Sequence, residues 1–393
     1  MVDVVIVGYA RTPIGKLAGS LSSLSAADLG GLAIAAALER AGVRPGLVDR
    51  VIMGHVLQAG QGQNPARQAA ATGGVPMDVP AVTVNSVCLS GIHAIHQADL
   101  LIRAGEADVV VAGGMESMSQ APYLLPGARA GFRLGDVTAV DAMIRDGLWC
   151  AFDDVHMGAG TEAYTKAAGI SRARQDEIAA RSHERACVAT KEGRLADEIV
   201  PVTVRQRRDE LLVETDEGIR SDTTVAGLGR LKPAFAPDGT ITAGNASQIS
   251  DGAAAVVLMS RARADDLGLP ARAELGGFGL VAGPDPSLLT KPSRAILQAL
   301  ERTGRTVADV DRFEINEAFA AVAAASMDDL GIGDEVVNVN GGAIALGHPI
   351  GMSGARLVMT LIEELRRGGG GLGAAALCGG GGQGEAALVV VPG

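Results

Sequence analysis

Residues 79–112 read VPAVTVNSVCLSGIHAIHQADLLIRAGEADVVVA. Val79–Val84 predicts a strand, Leu89–Ala104 a helix closed by Gly105, and Asp108–Ala112 a second, uninterrupted apolar strand. Strand, helix and strand in that order make a βαβ unit, whose strands run parallel and are covered on both faces. The same alternation precedes it. There is a strand at Val4–Val7, a helix at Ala26–Ala41 ended by Gly42, a strand at Arg50–Gly54, and a helix at Asn64–Ala71 with Pro65 in its first turn. It resumes with a strand at Ala253–Met259, helix Pro292–Thr303, strand Asp311–Ile315, helix Phe319–Leu330, strand Val336–Asn340, helix Gly351–Arg367, and strands Gly373–Leu377 and Glu385–Val391. The fold class is therefore α/β: two similar halves on a mostly parallel sheet, with a shared order of elements and no close sequence repeat.

Between Gln120 and Gln248 the pattern is irregular. Helical stretches near His156–Ala168 and Arg174–Glu192 and a Thr/Val-rich run at Ile199–Val204 lie in it, and the cluster Arg205–Arg208 reads as a solvated turn. This is an inserted loop or lid domain. The expected division is residues 1–119 with 249–271, 120–248, and 272–393.

The chain has 393 residues, 47% of them hydrophobic and 20% charged, which excludes a disordered polymer. A net charge of −11 and 3% aromatic residues argue against a nucleic-acid binder. No run of about 18 apolar residues is present, and Met1–Gly8 lacks the features of a signal peptide, so the expected location is cytoplasmic, with no membrane association. Four widely spaced cysteines, Cys88, Cys150, Cys187 and Cys378, are no disulfide framework.

Four residues stand where chemistry is expected. Cys88 lies between a strand and a helix N-terminus, whose free N–H groups and dipole would lower a thiol pKa; the bland alternative is a buried structural cysteine. His348, in the glycine-rich turn Gly341–Gly351, is either a general base or oxyanion donor, or a polar turn residue. Cys378 opens the run Gly379–Gly382, which is entropically costly unless the backbone must pass close to something; the thiol reads as a proton carrier. Asn316 fits a helix N-cap at least as well as a carbonyl-positioning role. All four are placed at C-terminal ends of predicted parallel strands, where ligands of open α/β sheets bind. Two matches to G-x-G-x-x-G, at Gly368–Gly373 and Gly379–Gly384, lack the strand–turn–helix context of a dinucleotide site. No metal site is expected: His93 and His96 are three apart on one predicted helix with no carboxylate cluster in sequence.

Taken together the segments resemble the thiolase family. The resemblance runs almost end to end, through Ala10–Gly15, Asn64–Gln68, Cys88–Gly91, Ala112–Ser119, His156–Gly158, Thr242–Ser247, Asn316–Phe319, Gly347–Pro349 and Cys378–Gly381. It implies a five-layered α-β-α-β-α fold of two α/β halves with an inserted loop domain. It also implies Cys88 as acyl-accepting nucleophile, His348 as its activator, and Cys378 as the base at the substrate α-carbon. Asn316 (through a water) and His348 would form one oxyanion site, and the backbone N–H groups of Cys88 and Gly380 the other. Leu148, His156, Met157, Arg220, Ala243, Ser247, Ala318 and Phe319 would border a coenzyme A thioester. By the resemblance no metal or organic cofactor is needed; acetyl-CoA, acetoacetyl-CoA and CoA are the partners, and the chain is a homo-oligomer, expected to be a tetramer. His156-Met157-Gly158 resembles the short-chain biosynthetic branch, which condenses two acetyl-CoA; the rivals are a degradative 3-ketoacyl-CoA enzyme and a non-catalytic acyl-binding relative. Ser86, Gln248 and the loop Trp149–Asp154 depart from the family pattern.

Overall fold

The computed structural model describes residues 2–206 and 209–393. The first half contains β1 (Val4–Arg11), α1 (Ala26–Ala41), β2 (Arg50–Gly54), α2 (Pro65–Thr72), β3 (Ala81–Val84), α3 (Ser90–Arg103) and β4 (Val109–Ser117). The middle contains α4 (Met157–Ala167), α5 (Arg172–Lys191) and the hairpin β5 (Val202–Gln206) and β6 (Asp209–Val213). Then come β7 (Ser250–Ser260), β8 (Ala273–Ala282), α6 (Lys291–Thr303), β9 (Arg312–Ile315), α7 (Ala320–Leu330), α8 (Ser353–Arg367), β10 (Gly371–Gly379) and β11 (Gln383–Val391). Arg207 and Arg208 of the expected charged turn lie outside the described residues.

The main strands join in the order β9-β10-β11-β8-β1-β7-β4-β2-β3. Outward from the β1/β8 contact, each half repeats one plan: first strand, last strand, then the next-to-last, then the second. The expectation of a mostly parallel sheet is corrected. Only β2/β3, β2/β4 and β9/β10 pair in parallel; β1/β7, β1/β8, β4/β7, β8/β11 and β10/β11 are antiparallel. The last strand of each half returns directly beside its predecessor, which βαβ reasoning cannot anticipate. β8 went unread in sequence because Gly276, Gly277 and Gly279 interrupt its apolar run. The expected strand Val336–Asn340 is also corrected: it is a 3₁₀ turn, Asp334–Val336, followed by one bridge from Val337 to Phe313.

The duplication is visible in matched details. β1 bulges between Ile6 and Gly8, and β8 between Leu275 and Gly277. A Cβ at Gly8 would meet Ala41, the last residue of α1; one at Gly277 would meet Thr303, the last residue of α6. Both helices end on a left-handed glycine, Gly42 (φ 66°) and Gly304 (φ 67°).

Among the described residues, three large apolar cores lie between the layers, and a small fourth cluster of Val56, Leu57, Met118 and Ile350 lies against Cys88. One, with Val5, Val51, Val111 and Val257, lies under α1 and α2. Another, with Phe313, Ala374 and Leu388, lies under α6 and α7. The third, with Ile92, Ile95, Leu357 and Leu361, encloses α3 and α8 between the two halves. β7 packs its alternate faces into the first and third cores, joining the earlier half across the intervening segment.

That segment is tied down by buried charge. Arg11, at the end of β1, bonds Glu198 at 2.7 Å and grips Asp216 with two N–H groups at 2.7 and 2.9 Å. Thr360 of α8 donates to the other Glu198 oxygen at 2.9 Å. Among the described residues, no helix is long and apolar enough to cross a membrane.

α3 and α8 cross at Gly91 and Gly354. A Cβ at Gly91 would lie 2.9 Å from the Ala355 nitrogen, and one at Gly354 would fall on the Ile92 nitrogen. Backbone atoms cannot yield as a side-chain tip can. Gly354→Ala is therefore expected to lower unfolding free energy by about 1–3 kcal/mol. Urea denaturation checks this; an unchanged midpoint would mean the two helices part freely.

Candidate active site

Cys88 stands on the turn between β3 and α3. Val87 before it has φ 51°, a left-handed conformation costing a β-branched residue about 1–3 kcal/mol. Three short bonds hold the turn. Val87 N–H donates to Asn85 Oδ1 at 2.9 Å, Ser86 N–H to Ser90 Oγ at 2.9 Å, and Ser90 Oγ–H to the Val87 carbonyl at 2.6 Å. The backbone N–H groups of Cys88 and Gly380 point at the Cys88 sulfur.

The expected lowering of the Cys88 pKa is corrected. Burial pushes the thiol up to about 12, the two N–H groups pull it down less, and the buried Glu116 carboxylate pushes it up further. α3 begins only at Ser90, so its first turn does not offset the loss of water. Cys378 is fully buried at the end of β10, and its pKa too is raised, first by burial and then by Cys88 nearby. Both thiols rest protonated.

His348 is buried, and its tautomer follows from its partners. Ser353 Oγ donates its proton to the Pro349 carbonyl at 2.8 Å, so at 2.6 Å it accepts from His348 Nδ1–H. That leaves a lone pair on Nε2, which the Asn316 amide nitrogen faces at 3.3 Å. Burial first, and then Arg356, push the His348 pKa down to about 3, so the ring is neutral. Asn316 Oδ1 is buried without a hydrogen-bond partner among the described residues.

The structure brings the four residues together. Asn316 N–H donates to the Ala376 carbonyl at 2.9 Å, which sets Asn316 beside the end of β10 and Cys378. Gly91, three residues after Cys88, rests on the Gly351 and Met352 carbonyls just after His348. Cys88, Asn316 and Cys378 follow or end β3, β9 and β10, as expected. His348 does not follow a strand: it lies past the short helical turn Ala343–Leu346, a correction to the strand-end rule.

Leu148, His156, Met157, Arg220, Ala243, Ser247, Ala318 and Phe319 all line one cleft of about 490 Å³. Its walls come mostly from the inserted segment. His156 caps α4 by accepting from Gly158 N–H at 3.1 Å, and burial lowers its pKa. Trp149–Cys150 and Val155–His156 pair as a short hairpin, so the unfamiliar loop is the tip of a ribbon.

Four contributors were missed in sequence. Phe235 stacks on His156 (centroids 4.9 Å apart) and meets Phe319 edge-on at 6.4 Å. A Cβ at Gly158 would run into the Phe235 ring, so that glycine was the only available signal. Gln248 gives the departure from the family pattern a purpose. Its amide nitrogen reaches the Gly218, Ile344 and Ala345 carbonyls, and its own carbonyl receives His348 N–H at 3.1 Å. Glu116 accepts from Val56 and Leu57 N–H at 3.1 Å and Gly351 N–H at 3.0 Å, joining loops around Cys88 and His348. Ser353 sets the His348 tautomer. A second cleft of about 620 Å³, lined by Arg40, Arg272 and Arg366, contains none of the predicted site residues.

A half-buried and a buried thiol, a neutral imidazole with an unprotonated nitrogen, and paired N–H donors next to a cleft define a thiol-dependent acyl-transfer site. The N-terminal thiolase domain profile matches residues 4–262, and the C-terminal thiolase domain profile matches residues 269–391. The chain belongs to the thiolase family. It is 57% identical to a probable acetyl-CoA acetyltransferase of Mycolicibacterium smegmatis, over 97% of this chain and 98% of that one. It is 51% identical to an acetyl-CoA acetyltransferase of Pseudomonas aeruginosa, over 98% of both. The crystal structure of the Bacillus anthracis acetyl-CoA acetyltransferase superposes with a TM-score of 0.97 at 41% identity, over 100% of this chain and 99% of that one.

A thiol held near 12 is almost wholly protonated at neutral pH. Iodoacetamide alkylation of Cys88 in the free protein should keep accelerating with pH through the range in which an ordinary thiol of pKa about 8.5 has levelled off. Mass spectrometry of the Cys88 peptide reads the rate, and a plateau below pH 8 would contradict the assignment.

Proposed function

We propose that the chain is an acyltransferase that reversibly condenses two acetyl-CoA to acetoacetyl-CoA and CoA, by ping-pong kinetics through acetyl-Cys88. The observation that carries it is the grouping of Cys88, Cys378, Asn316 and a neutral His348 next to the cleft that gathers all eight expected substrate residues, Cys88 packing on the same small apolar cluster as Leu148 of that cleft.

The protons balance along one route. His348 Nε2 takes the Cys88 proton as sulfur attacks the thioester carbonyl. The N–H groups of Cys88 and Gly380, already at that sulfur, hold the oxyanion. The carbon–sulfur bond of the thioester breaks, and the departing CoA sulfur takes the Cys378 proton. The Cys378 thiolate then removes the α-proton of the second acetyl-CoA, while His348 Nε2–H and a water held by Asn316 bear the enolate oxygen. The carbanion attacks acetyl-Cys88, the Cys88 sulfur leaves, and it recovers its proton from His348. Raised thiol pKa values suit this route, since each thiolate exists only while a partner holds its proton. No step draws on a metal or organic cofactor.

Met157, Phe235 and Phe319 narrow the cleft, which supports an acetyl-sized acyl group. Arg220 and Lys16 line the same cleft and suit the phosphates of CoA in an otherwise acidic protein. A homo-oligomer is supported by two surfaces. β3 is an edge strand with Val82 43% exposed, and the segment after β4 exposes Leu125, Phe132 and Leu134. Two distinct interfaces would build a tetramer. Four free cysteines fit a reducing cytoplasm.

Cleavage of 3-ketoacyl-CoA esters of rising chain length, with Cys88→Ala as blank, tests specificity. Activity should be confined to acetoacetyl-CoA, and rates that hold or rise with length would install the degradative reading. Cys378→Ser should slow condensation at least about 100-fold while leaving acylation of Cys88 within about tenfold. An equal loss in both steps would remove the α-carbon role from Cys378.

A further inference from the structure

His93 and His96 stand one turn apart on α3, and a third group joins them from the other half of the molecule. Glu385, on β11, is fully buried. Its carboxylate lies 2.7 Å from His96 Nδ1 and 3.1–3.2 Å from His93 Nδ1. This is the carboxylate that sequence alone did not place near the histidines. The three ligand atoms all fall within 4.8 Å of one another. Phe278 stacks on the His96 ring at 4.2 Å, with planes 5° apart, and fixes its orientation. The histidine side chains are 27% and 16% exposed, so one side of the cluster is open to solvent.

We propose that His93, His96 and Glu385 bind one divalent transition-metal ion of the zinc class, the open side being completed by water. Two imidazole nitrogens and one carboxylate oxygen are a donor set suited to such ions. Ligand atoms about 2.1 Å from a tetrahedral ion stand about 3.4 Å apart. The observed 2.7–3.2 Å contacts to Glu385 therefore need to open by about 0.2–0.7 Å to admit the ion. Glu385 is fully buried and its side-chain partners are the two imidazoles, so three donor groups already converge on one point beside solvent.

None of the three residues lines the substrate cleft, and the proposal gives the ion no step in acyl transfer. It joins α3 of the first half to β11 of the second, and acts as a staple across the middle layer. The inference stands apart from the acetyl-CoA reading, because its test reads binding and stability.

The full chain, stripped with a chelator, is titrated with Zn²⁺ by calorimetry and with Co²⁺ by absorption. One ion per chain should bind, the melting temperature should rise, and the cobalt spectrum should show d–d bands without thiolate charge transfer. His93→Gln and Glu385→Gln should each weaken binding more than about tenfold. Activity in chelator within about twofold of the parent shows that a variant is folded; His93→Gln, at a partly exposed position, keeps the test open if Glu385→Gln does not fold. Absence of saturable binding, binding undiminished in folded variants, or a thiolate band placing the ion on cysteine would each overturn the proposal.

Discussion

Two helices can cross in backbone contact only where both lack side chains, and here they do so at Gly91 and Gly354. Each glycine follows a serine, and each serine hydroxyl bonds back to the loop before its helix. Ser90 holds the Cys88 turn, and Ser353 holds the His348 ring. The crossing therefore brings the nucleophile's loop and the base's loop together as a by-product of packing. The mirrored strand order around β1 and β8 delivers the helices to that crossing, and the middle core encloses them there.

Burial does the chemical tuning. The same removal of water that lets α3 and α8 pack raises both thiols and lowers the imidazole. A site of neutral groups is inexpensive to bury compared with a thiolate–imidazolium pair. Charge arises only when a thioester is attacked, and fixed N–H groups are already in place to meet it.

Much of this was legible in the residues. Ala26–Ala41, the 88–91 turn and the long helix after His348 carry strong local signals, namely a cap, a glycine stop and regular apolar spacing. What was hidden depends on contacts far apart in sequence. β8 has a glycine-broken pattern that makes sense only beside β11. The antiparallel pairs arise from strands returning across the inserted segment. α8 buries Arg356, Thr360 and Glu363, which the sequence alone gives no reason to expect, because Glu314, Glu198 and Tyr9 pair with them. The four chemical residues were individually ambiguous. Their ambiguity resolved through the family pattern, while Phe235, Gln248 and Ser353 act through neighbours that only the folded chain supplies. The Cys88 pKa was misjudged because a helix N-terminus is visible in sequence and the depth of burial is not.

The division between the main sheet with its helices and the inserted segment has a consequence for adaptation. Cys88, Asn316, His348 and Cys378 sit on turns and strand ends packed against the cores, so few substitutions near them leave the packing undisturbed. The cleft walls come mostly from the inserted segment, which is held to the scaffold by apolar contacts to all three cores and by the Arg11, Glu198 and Asp216 cluster. Substrate preference can therefore drift by change in the appended wall, while the reaction itself stays locked to the frame. New specificities in such an architecture arise by re-furnishing one side of a room whose other side is structural.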